Sequence, residues 1–257
     1  MKPHRFIGKF NIVSGIFKIS DFELVNQIRN VLKLKVGEKI ILCDGNMNER
    51  TGEIKKYGGN IVEVEILKIN KNQNEPERNV VLYCSILKKE NFEWVVQKAT
   101  EIGVKEIVPL ITVRTVKLDI RKDRLEKIIK EAAEQSGRGI VPVLYDPVNF
   151  KEAVADAGKN ELNYFFDQSG SEWAKIYSDG SKSRTNSFRI GAWIGPEGGW
   201  HADEIKHVLL ARRNLVKAGS LPKERNFHII SLGKTTLRAE TAATVAPYLI
   251  IHNPACF

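Results

Sequence analysis

Two short segments in the last third of the 257-residue chain are built like ligand loops. Gly195-Pro-Glu-Gly-Gly199 follows the apolar stretch Phe188–Ile194 and sets three glycines around a proline. Without Cβ atoms, such a backbone can approach a ligand closely and offer it N–H and C=O groups. Taken alone, the segment is either that or a tight strand-to-helix turn. The second, Ser231-Leu-Gly-Lys-Thr-Thr-Leu-Arg238, joins a strand at Phe227–Leu232 to a helix at Arg238–Ile251. Its GKTT resembles a nucleotide-phosphate loop, but that motif needs a glycine five residues before Gly233, where His228 stands. Too little chain follows for the strand that would supply a magnesium-binding carboxylate. Cys43, Cys84 and Cys256 lie far apart, with no CxxC. Neither they nor His4, His201, His207, His228 and His252 have ligand spacing, and there is no HExxH, so no metal is expected.

Loops of this kind need a frame that delivers them to one place. From Asn79 onward, strands alternate with helices: strands at Asn79–Ser85, Glu106–Leu110, Val141–Leu144, Leu162–Phe166 and the two named above, and helices at Lys89–Ile102, Asp119–Ser136 and His201–Leu210. Gly103 is placed to close the first of these helices. The alternation predicts an α/β fold with a parallel sheet covered on both faces, where ligands bind beyond the carboxyl ends of the strands. The first 70 residues read differently. Arg5–Phe10, Lys39–Cys43 and Asn60–Ile69 are strand-like, and Asp44-Gly45-Asn46 is a turn between two strands. One helix is expected among them, capped by Ser20 with Glu23 reaching back, and carrying Leu24, Val25, Ile28, Val31 and Leu32 on one side. A small β-barrel with one helix accounts for this. The polar Asn70–Glu77 reads as a linker and Gly180–Ser187 as a polar loop.

Lys and Arg total 40 against 31 Asp and Glu, a net +9 spread along the chain. Such a surface suits phosphate, although many basic proteins bind nothing anionic. No apolar run is long enough to span a membrane and the start has no signal-peptide core, so a cytoplasmic location is expected.

The two loops together resemble the SPOUT class of RNA methyltransferases, and within it the RsmE family. The matching stretches run through nearly the whole chain: Arg5-Phe6, Gln27–Lys33 and Lys35–Glu38; Gln97–Val104, Val113-Arg114-Thr115, Glu131–Arg138 and Val141-Pro142; then Ile194–Trp200 and Ser231–Ala243. The resemblance implies a PUA-like RNA-gripping β-barrel over residues 1–72. Over residues 78–257 it implies a SPOUT domain with a C-terminal trefoil knot that binds S-adenosylmethionine and forms a homodimer. It implies methylation of N3 of a uridine in 16S ribosomal RNA of the small subunit. Phe166, Ile194, Gly195, Glu197, Gly198, Gly199, Ser231, Leu232, Gly233, Thr236, Leu237 and Arg238 would hold the methyl donor. Lys33, Lys234 and Thr236 stand where the family more often has arginine, proline and isoleucine, and Arg212–Asn226 is longer and more basic than usual.

Uridine N3 must lose a proton to attack, so the resemblance asks for alignment and for stabilisation of a uracil anion. Arg238 suits the second task because a guanidinium stays charged; alternatively it braces the helix end. Glu240 is either the base or a favourable charge at a helix N-terminus. Arg114 and Arg138 would hold RNA phosphates, or serve in ion pairs. Arg5, Arg29 and Lys33 are candidate RNA contacts on the barrel. The competing reading is a SPOUT-fold RNA-binding assembly factor without catalysis.

Overall fold

The computed structural model describes residues 3–10, 14–88, 90–116, 119–173, 189–214 and 226–252. The expected loop Gly180–Ser187, most of the basic stretch Arg212–Arg225, and Cys256 lie outside them. The chain divides into two compact units, one of Met1–Glu75 with Ala133–Val141, the other of Pro76–Ala132 with Pro142–Phe257.

The first unit is a five-stranded sheet of β1 (His4–Ile7), β2 (Gly15–Ile19), β3 (Lys39–Cys43), β4 (Asn48–Gly58) and β5 (Ile61–Lys71), in the order β1-β3-β4-β5-β2. Inward residues alternate along the strands, as period-two patterning requires: Ile40 and Leu42 on β3, Val62 and Val64 on β5, with Phe6, Ile28 and Ile54 in the same core. The turn after β3 forms where expected, with Gly45 at φ +72° and the Asn46 N–H donating to Asp44 Oδ1 at 2.8 Å.

The barrel helix departs from expectation in two ways. Its N-cap is Asp21, whose Oδ1 accepts the Leu24 N–H at 2.8 Å, one residue beyond Ser20. A carboxylate there also complements the helix dipole, which a hydroxyl does not. Helix α1 (Phe22–Asn26) then widens into a π turn at Gln27–Val31, closed by a Leu32 N–H to Gln27 C=O bond of 2.9 Å. The extra residue in that turn shifts the phase. Val31 is left exposed, while Leu32 packs on the core.

The boundary between the units falls within the expected linker Asn70–Glu77, after Glu75, but part of that segment is built into the first unit. Asn70 and Lys71 end β5. The buried Asn72 side chain donates to Glu49 and, at 3.0 Å, to the Gly137 carbonyl. Glu75 takes Arg138 in a two-pronged pair, Nε at 3.1 Å and Nη2 at 2.8 Å, and its Oε1 also accepts the N–H groups of Gly139 and Ile140. Within a polar composition that reads as solvated chain, Asn72 and Glu75 are thus anchored in a hydrogen-bonding seam while Gln73, Asn74 and Glu77 stay exposed, and the seam ties Ala133–Val141 to the first unit.

Among the described residues of the second unit every strand pairing is parallel. Its strands are β6 (Asn79–Ser85), β7 (Glu106–Ile111), β8 (Val143–Leu144), β9 (Val148–Asn149), β10 (Leu162–Glu172), β11 (Arg189–Ile194) and β12 (Asn226–Ser231). The order is β12-β10-β11-β6-β7-β8, with β9 also on β7. Helices α2 (Asn91–Ile102), α3 (Lys122–Ser136), α4 (Phe150–Asp156), α5 (Ala202–Asn214) and α6 (Ala239–His252) accompany them. Gly103 closes α2 at φ +108°, as its position predicts. Strand β6 is buried at every residue after Asn79, the continuous apolar run of a strand covered on both faces. The core is aromatic: Tyr83 stacks on Trp193 at 4.0 Å, and Phe165 on Trp200 at 4.3 Å. Burying a side chain such as Trp193 contributes roughly 2–3 kcal/mol.

At the amino ends of these strands, side chains close the sheet. Arg189 grips Glu106 through Nε at 2.9 Å and Nη2 at 2.7 Å and donates to Asn160 Oδ1 at 2.7 Å. Asn160 in turn bonds Asn163, which accepts the Trp193 indole N–H at 3.0 Å. Burial pushes the Glu106 carboxyl up, but Arg189 and Tyr145 outweigh it and hold it below the ordinary carboxylate range.

Candidate functional site

The register brings chain-distant residues together at the other edge. Phe166 on β10 pairs with Ile194 on β11 on one side and Ile230 on β12 on the other. The segments that follow these residues therefore lie side by side at the carboxyl ends of the strands. They line a cavity of about 790 Å³, within the range of roughly 300–1,000 Å³ usual for small-ligand sites. Phe166, Ile194, Gly195, Glu197, Gly198, Gly199, Ser231, Leu232, Gly233, Thr236, Leu237, Arg238 and Glu240 all line it, and so does Arg114.

The glycine loop is held from three sides. A Cβ on Gly195 would lie 3.0–3.1 Å from the Trp200 indole, so any larger residue there would press on that ring. Trp200 is itself fixed by its indole N–H to the Phe166 carbonyl at 3.0 Å. Glu197 Oε1 accepts the Lys88 N–H at 2.8 Å, and Arg114 Nη1 donates to the Gly198 carbonyl. Gly199 sits at φ +69° and closes a turn onto the Pro196 carbonyl at 2.9 Å. On the second loop, Gly233 adopts φ +135° while Ser231 Oγ donates to its carbonyl at 2.9 Å.

Only a few charged groups face this cavity. Arg238 is 87% exposed, and Glu240 Oε1 lies 3.9 Å from its Nη1. The other charged residues lining it are Asp167 and, tied to backbone, Arg114 and Glu197. Cys84 lies next to it but is fully buried; burial, and then the Glu197 charge, push its thiol well above the ordinary range, so it is no nucleophile. Among the described residues no group of three or more His, Cys, Asp or Glu could hold a metal ion.

Sequence reasoning missed one wall. Strand β10 continues to Glu172 rather than stopping at Phe166, and Asp167, Gln168 and Ser169 line the cavity. Gln168 donates to Thr236 Oγ1, tying this wall to the second loop. The register of β10 on β12 shifts between Phe166 and Ser171, where a Cβ on Gly170 would collide with the Ile229–Ile230 backbone. The polar run after three aromatic residues was the available signal. Asn91, Ile230, Ala239 and Ala242 also line the cavity without having been predicted.

The expected RNA contacts divide. Arg29 and Lys33 face outward on the first unit; Arg29 donates to the Gly59 carbonyl at 2.6 Å and lies 4.9 Å from the centre of the Tyr57 ring, and Lys33 is exposed at φ +52°. Arg5 and Arg138 are corrections. The Arg5 side chain is buried against Glu49 and also donates to Cys43 Sγ at 2.9 Å, while Arg138 is 3% exposed and gripped by Glu75. A guanidinium committed to a buried carboxylate has no face left for a phosphate. Burial pushes the neighbouring Cys43 thiol up to about 11.

No helix among the described residues is long and apolar enough to cross a membrane. Residues 23–67 match the family described as RNA methyltransferase PUA domain, and residues 73–251 the family described as RNA methyltransferase domain. The chain is 34% identical over 184 residues to ribosomal RNA small subunit methyltransferase E of Mesomycoplasma hyopneumoniae, covering 70% of this chain and 72% of the relative. It is 31% identical over 242 residues to ribosomal RNA small subunit methyltransferase E 2 of Borreliella burgdorferi, covering 90% of each. The crystal structure of ribosomal RNA small subunit methyltransferase E from Neisseria gonorrhoeae bound to S-adenosyl methionine superposes with a TM-score of 0.79 at 29% identity, over 95% of this chain and 94% of that one. With an N-terminal PUA-like unit, a parallel α/β unit and a cavity where the shared motifs converge, this chain belongs to the ribosomal RNA small subunit methyltransferase E family.

Proposed function

We propose that this protein transfers the methyl group of S-adenosylmethionine to N3 of a specific uridine in 16S ribosomal RNA of the small subunit. The observation that carries the reading is the single cavity into which three carboxyl-end segments converge beneath an exposed arginine. The residues fit the donor: the cavity has the volume for it, and Gly195 leaves free the space that a Cβ would occupy above Trp200.

When bound, S-adenosylmethionine supplies an electrophilic sulfonium methyl. The chain's residues do the rest. Backbone groups of Gly195–Gly199 and Ser231–Leu237 hold the donor, with Phe166, Ile194, Leu232 and Leu237 as apolar walls. Arg238, with its side chain in solvent at the mouth, stabilises the uracil anion, and Glu240 accepts the N3 proton. The target base leaves its stack to reach them. Arg29 and Lys33 on the PUA-like unit, and the solvent-facing part of Arg114, meet RNA phosphates.

In this reading the first unit, Met1–Glu75 with Ala133–Val141, is the RNA-gripping barrel and the second unit the SPOUT domain, which works in the cytoplasm where ribosomes assemble. The return of β12 to a place beyond β10, after β11 has paired with β6, supports a trefoil knot. Trp94 on α2 and Tyr248 on α6, exposed on helices that pack together, support a homodimer face. Mass spectrometry of 16S RNA from a deletion strain is the test. The strain should lack one 3-methyluridine and regain it on complementation; its persistence would sink the assignment.

A further inference from the structure

A glycine-rich loop binds tightly only if something else removes its freedom. Of the three groups that hold Gly195–Gly199, Arg114 on the Gly198 carbonyl is only as fixed as the turn that carries it. That turn, Thr112–Thr115, is closed by a Thr115 N–H to Thr112 C=O bond of 3.1 Å and secured twice. Beneath it the hydroxyls of Ser85, Thr112 and Thr115 meet in a cluster, with Ser85 to Thr115 at 2.9 Å and Thr112 to Thr115 at 2.8 Å. Beside it stands Glu204, 4% exposed, on the first turn of α5.

Glu204 is spent entirely on backbone. Its Oε1 accepts the Val113 N–H at 3.0 Å, and its Oε2 accepts the His201 N–H at 2.8 Å. Val113 adjoins Arg114 in the turn. His201 directly follows Trp200, the ring under Gly195. One buried carboxylate therefore clamps the arginine-bearing turn and the exit of the glycine loop to each other.

We propose that Glu204 is a positioning residue for the methyl-donor site: it fixes the Gly195–Gly199 backbone through the Thr112–Thr115 turn and Arg114. This rests on the donor assignment made above. Its chemistry requires a carboxylate. An amide at this position keeps one acceptor and turns an N–H toward a backbone N–H, losing one charge-assisted bond.

The test is calorimetric titration of S-adenosylhomocysteine into the full-length wild type, Glu204→Gln, Arg114→Met and the double variant, with thermal unfolding measured alongside. Glu204→Gln and Arg114→Met should each weaken binding roughly tenfold. The double variant should bind no worse than Arg114→Met alone, since both changes break one tether. Losses that multiply, or a Glu204→Gln variant that unfolds earlier yet binds like wild type, would overturn the proposal and leave Glu204 a helix-end residue. If Glu204→Gln does not fold, Thr115→Val loosens the same turn from below. It should lose the same affinity, which Thr115→Ser restores, and wild-type binding by Thr115→Val would count against the idea. Absence of binding by the wild type would instead remove the donor assignment itself, and this inference with it.

Discussion

The two edges of the parallel sheet solve opposite problems with opposite materials. At the amino edge Arg189, Glu106, Asn160 and Asn163 fill the space with charged and amide side chains that satisfy one another. At the carboxyl edge the space stays open, lined by glycines and by carbonyls whose partners sit behind them. The same strands feed both edges. Charge is used where the sheet must not move, and bare backbone where something must enter; a Cβ on Gly195 would press on the Trp200 ring beneath the loop.

This contrast can be broken from either side. The largest effect is expected at the open edge. Arg238→Ala should lower turnover about 10²–10³-fold, the cost of losing a group aimed at a developing anion. Because the side chain is 87% exposed, thermal unfolding should not move. Single-turnover methylation of 16S RNA fragments beside a melting curve measures both, and near-wild-type turnover would take Arg238 off the catalytic list.

Next comes the closed edge. Arg189→Met leaves the carboxylate of Glu106 largely buried without its cation and should destabilise the fold by about 2–3 kcal/mol. Donor affinity of the folded fraction should stay unchanged. A denaturant midpoint at the wild-type value would show that the network only decorates the sheet. Gly191→Ala should cost about 1–3 kcal/mol, since its Cβ would run into Asn163 and come within 2.7 Å of Asn160 Nδ2. Gly195→Ala, by contrast, should weaken S-adenosylhomocysteine binding more than it lowers the melting temperature. Equal behaviour of these two alanines would erase the distinction between the edges.

The smallest effect is acid sensitivity. The folded-state pKa of Glu106 is depressed, so its contribution is complete above the ordinary carboxylate range and is lost as pH falls through the folded value. Denaturant midpoints between neutral pH and pH 3 should fall less steeply for Glu106→Gln than for wild type, and identical slopes would refute the role of Arg189.

What the sequence revealed and what it hid follow one rule. Period, glycine position and apolar runs are local, so β6, the end of α2 at Gly103 and the two cavity loops were legible. Partners are not local. Nothing in the residues around Arg5 or Arg138 says that Glu49 and Glu75 will consume them. Nothing near Asn72 says that this one member of a polar run will be buried. The π turn hid for a related reason, because a single extra residue moves Val31 outward without changing composition. Glu204 stood in plain view three residues after His201, with capping-box spacing. Its reach to Val113 needed the fold.

The seam between Glu75 and Arg138 has a consequence for how this protein is made. The two residues are 63 positions apart, and in between the ribosome must synthesise β6, α2, β7 and all of α3. A nascent chain that ends at Glu75 has all five barrel strands, and Glu49 for Asn72, but neither the Gly137 carbonyl that Asn72 also takes nor the Arg138 guanidinium that Glu75 takes. The N-terminal unit is finished only after synthesis of the unit that follows it has begun. A fragment cut at residue 72 or 75 for separate expression would carry this defect permanently.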